Sequence, residues 1–150
     1  MSFGFGVGDF MAVSTLAATV YMAYKDAPIN YKHIAEEVKS LQGLIDKAAQ
    51  HFEGTTLSHA DHQHGQEALK GCQSVLEDLN AFIEEYKSIA SNNKRLVFKR
   101  VKLGTEDIAT LRARLTSNAT LLSSFIRRLD IATYCMQDMV HDANNLSLLS

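Results

Sequence analysis

The stretch at 108–129, IATLRARLTSNATLLSSFIRRL, decides the fold. Ile108, Leu111, Leu115, Leu122, Phe125 and Leu129 recur in steps of three and four, with Asn118 as the one polar member of the seam. That spacing lays one apolar stripe along an α-helix, and Asn118 reads as a register-setting polar residue within it. The steps continue through Ala132, Met136, Met139, Ala143 and Leu146. A helix this long predicts either the spine of a bundle or a coiled coil.

Upstream the same period returns. Leu69, Cys72, Leu76, Leu79, Ile83, Tyr86 and Ala90 predict a second long helix, ending in a loop at Ser91-Asn92-Asn93. Lys94 to Leu103 reads as a short basic amphipathic segment, with a restart at Gly104-Thr105. Ile34, Val38, Leu41, Ile45, Ala48 and Phe52 predict another helix, entered through Pro28, which suits a first helical turn. Gly54-Thr55-Thr56 ends it, and a polar connector runs to Gly65. Asp9 is expected to cap the first helix, which carries Phe10, Val13, Ala17, Val20 and Tyr24 on one face and runs to about Lys25. One proline, few glycines and no β-branched run between turn signals exclude a sheet. The expected fold is all-α: an antiparallel bundle of four to six helices with a long C-terminal helix, joined by short connections.

Composition narrows the function. Fifteen basic against 17 acidic residues give no global signal for nucleic acid. Cys72 and Cys135 are too few for a disulfide framework and are expected as buried, reduced thiols. Gly4, Gly6 and Gly8 lack the spacing and the Gly-Lys-Ser/Thr of a phosphate loop, and no nucleophile elbow or helical zinc-protease pattern occurs. Paired acids such as Glu36-Glu37 and Glu84-Glu85 read as solvated faces. No enzyme, cofactor or metal is expected. His59, His62 and His64 match no established ligand spacing, so HADHQH reads as a polar connector.

The opening stretch, GFGVGDFMAVSTLAATVYMAY (4–24), holds a single charge, Asp9. Its uncharged run from Phe10 is shorter than the roughly 20 residues of a spanning helix. Glycine disfavours helix in FGFGVG, so residues 1–8 are expected as a flexible apolar arm. The candidate membrane and oligomer surface is therefore Phe3, Gly4, Phe5, Gly6, Val7 and Gly8, continued by Phe10, Val13, Leu16 and Val20. Lys94, Arg95, Lys99, Arg100 and Lys102 are candidate contacts for anionic headgroups; the blander alternative turns them to water or to Glu84 and Glu85.

Several stretches together carry a resemblance. MSFGFGVGDF at the start, YKDAP at 24–28, IAEEVKSL at 34–41, CQSVLEDLNAFIEEYKSIA at 72–90 and GTEDIATLRARLTSNATLL at 104–122 are collinear over residues 5–130. Together they resemble the N-terminal helical domain of fungal NLR-like (STAND) receptors of the HeLo and HeLo-like type. The resemblance implies a cytoplasmic signalling or cell-death effector head, with nucleotide-binding and repeat domains downstream in the same chain. It also implies self-association on activation and conditional targeting to the plasma membrane through the apolar N-terminus. The alternative is a homotypic adaptor with no membrane action. HADHQH and the segment beyond 130 fall outside the resemblance.

Overall fold

The computed structural model describes residues 5–28, 31–92 and 94–149, with backbone alone over 89–92 and 94–107. Four helices follow one another among the described residues: α1 (Val7–Lys25), α2 (Lys32–Phe52), α3 (His59–Asn92) and α4 (Lys94–Leu148). No described residue is in a strand. The all-α bundle expected from the periodicity is the architecture found.

Cross-helix contacts fix the topology. Asp46 on α2 accepts from Ser14 on α1 at 2.5 Å, and Phe52 meets Phe10 at a centroid distance of 5.4 Å, so α1 and α2 are antiparallel. Arg114 pairs with Asp78 at 2.6 Å and Arg128 with Asp61 at 2.9 Å, so α3 and α4 are antiparallel. The remaining neighbours are parallel. The hydroxyl of Tyr24 donates to the Leu79 carbonyl at 2.8 Å between α1 and α3, and Arg112 forks onto Glu37 between α4 and α2. Walking round the bundle, the order is α1, α2, α4, α3. Phe10 and Phe125 stack across the diagonal at 6.2 Å.

The stripes named by periodicity are the core. Phe10, Val13, Ala17, Val20 and Tyr24 are buried, as are Ile34 to Ala48 on the α2 stripe, Leu69 to Ile83 on α3 and, apart from the half-buried Asn118, Ile108 to Leu129 on α4. Exchanging one such leucine for alanine costs about 2–5 kcal/mol, so the stripes dominate the stability.

Besides the start of α1, taken up below, the structure differs from the expected elements in four places. First, α2 begins at Lys32, because Tyr31 turns back to donate its N–H to the Pro28 carbonyl at 2.8 Å and buries its ring against Phe82 and Tyr86. Second, α3 begins at His59, so HADHQH is helical and not a connector. Ser58 caps it: the Asp61 N–H donates to Ser58 Oγ at 3.1 Å. Gly54, at φ 80, ends α2 in the left-handed conformation that glycine adopts without strain, leaving only a short link.

Third, Ser91 and Asn92 belong to α3, and α4 runs unbroken through Gly104 for 55 residues, about 80 Å at 1.5 Å per residue. One interior glycine costs about 1 kcal/mol relative to alanine, whereas a break there exposes two new sets of unsatisfied backbone groups. Fourth, the α4 seam outruns the bundle. Met136, Met139, Ala143 and Leu146 are exposed, because α2 and α3 turn at the level where Thr55 meets Thr133. Cys135 lies on this projecting part and is exposed, correcting the expectation of a buried thiol.

Candidate functional site: the first helix and its anchorage

Gly6 is the N-cap of α1. Its N–H donates to Asp9 Oδ2 at 2.8 Å, while the Asp9 N–H donates to the Gly6 carbonyl at 3.0 Å. Asp9 thus serves from inside the first turn, where its charge also complements the helix dipole. The helix consequently starts at Val7, and Val7 and Gly8 belong to its first turn.

Phe5 is held as well. Its ring packs on Phe10 at 5.0 Å, Phe52 at 5.3 Å and His62 at 5.2 Å, joining α1, α2 and α3 at one end of the bundle. Residues 5–8 are therefore not the free extended arm expected from glycine content. Burial of the Phe5 ring outweighs the freedom of its glycine neighbours. Phe3 and Gly4, also named for that arm, lie outside the described residues. Val13 and Val20 are buried and Leu16 half-buried, so the inner half of the proposed surface is core in this state. A cavity of about 330 Å³ lies between α1 and α3, lined by Asp9, Val13, Leu16, Leu69 and Lys70 among others.

The outer face of α1 is the unexpected part. Met11 is 62% and Met22 56% exposed, with Ala12, Thr15 and Thr19 exposed between them. Thr15 donates its hydroxyl to the Met11 carbonyl at 3.0 Å, and Thr19 donates to the Thr15 carbonyl at 3.1 Å. Both hydroxyls are thereby satisfied within the helix, leaving methyls and thioethers outward. Between Asp9 and Lys25 no position of α1 bears a charge, on either side. A helix apolar all round is ordinarily enclosed on all sides, and here one side is open. The signal was present in the sequence as a 15-residue uncharged run, but only the packing separated its inner from its outer half.

The histidines fall to different tasks. His62 packs in the Phe5 cluster, and His51 Nδ1 lies 2.7 Å from Asp130. Asp61 is held below the usual carboxylate range, chiefly by its hydrogen bond with Arg128 and then by Ser58. Among the described residues no group of three or more His, Cys, Asp or Glu is placed to hold a metal ion. The buried Cys72 thiol is pushed up to about 12 by desolvation. The backbone of Lys94, Arg95, Lys99, Arg100 and Lys102 is helical within α4, and their side chains lie outside the described residues. Among the described residues no helix is long and apolar enough to cross a membrane.

Comparison with protein-family models, with curated proteins and with solved structures returned no match.

Proposed function

We propose that this bundle is a signalling or cell-death effector domain of the NLR-like kind, cytoplasmic at rest, which acts by self-association and by bringing α1 to an anionic membrane. One observation carries the reading: α1 is free of charge on every side from Phe10 to Tyr24, although one side faces water. A solvated helix with no further partner ordinarily carries charge on its outer face. Downstream nucleotide-binding and repeat domains supply the clustering in this reading, and the chain itself performs no catalysis.

A single short apolar helix binds a bilayer weakly and reversibly, and burying Asp9 at the bilayer centre costs about 2.5–3.5 kcal/mol. Clustering multiplies weak contacts without adding new ones. The unfused domain should leave anionic liposomes intact, whereas its fusion to an oligomerising partner should bind them and release trapped dye. Thr15→Lys, on the exposed face, should abolish release while leaving the helical signal and melting transition intact. A clustered domain that never engages the liposomes, or a Thr15→Lys fusion that leaks equally, refutes the membrane reading. The homotypic adaptor then stands in its place, supported by the same open face.

A further inference from the structure

We infer that the cleft between α1 and α3 binds a free apolar α-amino acid, with its ammonium on Asp9, its carboxylate on Lys70 and its side chain on the floor between them. The site does not depend on the membrane reading. Of the four adjacent helix pairs, α1 and α3 pack least closely, and the cavity of about 330 Å³ occupies the gap they leave. Ligand pockets run from about 300 to 1,000 Å³ and occur between the helices of bundles. This one stands at the small end, which suits a molecule of amino-acid size.

The floor is apolar: Val13 and Leu69 are buried beneath it, and the half-buried Phe5 and Leu16 wall it. The rims carry opposite charges on opposite helices, Asp9 on α1 and Lys70 on α3, both exposed. Among the described residues neither side chain is in an ion pair. Asp9 accepts from the Gly6 N–H through Oδ2, which leaves Oδ1 for a ligand.

The spacing of the two charges selects the ligand. Phe5 on His62 at one end and Tyr24 on the Leu79 carbonyl at the other set the register of this parallel pair, and Asp9 falls near the level of Gln66. Lys70 follows Gln66 by four residues, about 6 Å along the axis at 1.5 Å per residue. An α-amino acid carries its ammonium and carboxylate on adjacent carbons. One charge-assisted hydrogen bond from the ammonium to Asp9 and one from Lys70 to the carboxylate, each about 2.7–2.9 Å, fit that interval. Gln66 lines the cleft between them, and its amide both donates and accepts. A ligand with a single charge leaves one rim unmatched, and a zwitterion without an apolar group leaves Val13 and Leu69 uncovered.

Titration of the isotope-labelled chain with free leucine, followed by amide NMR shifts, should show saturable binding at one site in the millimolar range or tighter. Leucine should also raise Tm as its concentration passes Kd. 4-Methylpentanoate, which lacks the ammonium, and isoamylamine, which lacks the carboxylate, should each bind several-fold more weakly, and glycine should not saturate the site. Lys70→Gln should weaken leucine several-fold and leave isoamylamine unchanged. Asp9→Asn keeps an oxygen for the Gly6 N–H, so it should weaken leucine and leave 4-methylpentanoate unchanged. Ala12→Trp, at an exposed position lining the cleft, should block all three ligands with the helical signal intact. The assignment is overturned if leucine fails to bind at millimolar concentration, or if glycine binds as well as leucine. It is equally overturned if Lys70→Gln weakens isoamylamine as much as leucine, or if Ala12→Trp leaves binding intact. No lipid or fusion partner enters these titrations, so their failure and that of the liposome assay are told apart.

Discussion

Gly65→Ala tests the close approach of α3 and α4. Gly65 is buried on α3, and a Cβ built there meets the Phe125 ring at 2.5 Å from both Cε2 and Cζ. Carbon atoms in optimal contact stand about 3.5–4.0 Å apart, so the ring must move by roughly 1 Å. Phe125 cannot easily yield: it is fully buried and stacked on Phe10 at 6.2 Å, and Phe10 in turn bears on Phe5 and Phe52. Overpacking of this kind costs about 1–3 kcal/mol, against a helix-propensity gain of about 1 kcal/mol for replacing an interior glycine. The expected net loss is up to about 2 kcal/mol, or several degrees in Tm for a chain of this length. Gly43→Ala is the control, since it is also interior to a helix but a Cβ there meets nothing within 4 Å. It should stabilise by about 0.5–1 kcal/mol. Urea melts of the two variants at low protein concentration therefore should move in opposite directions from the parent. Equal stabilisation by both would show that α4 does not pass close to Gly65, and would refute the packing described.

Two further outcomes follow from named groups. In the folded chain a thiol reagent followed by intact mass should modify Cys135 quickly and Cys72 only after denaturant, because Cys135 is exposed whereas Cys72 is enclosed with its thiol held protonated. Rapid labelling of Cys72 would place it outside the core. The lowered pKa of Asp61 makes its contribution fully present above the unfolded carboxylate value of about 3.9 and progressively lost as pH falls through the folded value. Asp61→Asn should therefore reduce stability slightly at neutral pH and flatten the loss on acidification, by well under 1 kcal/mol for so exposed a pair. An unchanged acid limb would mean that the Arg128 pair does not persist in solution.

Periodicity alone determined the helical class and nearly all of the core, because burying one face of a helix imposes its period on the side chains whatever the neighbour is. That is why the stripes from Phe10 to Tyr24 and from Ile108 to Leu129 coincide with the buried residues. The start of α3 was also legible, in Ser58 followed three residues later by Asp61, but the density of histidine and the polar surroundings argued for a connector. What covers a stripe is a different matter. Met136, Met139 and Leu146 repeat the period of Leu122 and Leu129 yet stand in water, because α2 and α3 turn back at the level of Thr133, short of them. Phe5 shows the converse: its glycine neighbours favour a loose segment, and three rings from three helices hold it. The candidate site divides in the same way. The sequence carried the charge-free run from Phe10 to Tyr24, but which half of it faces the core and which faces water depended on the two helices that α1 meets. That choice belongs to tertiary structure, since a helix apolar all round has no preferred face until its neighbours take one.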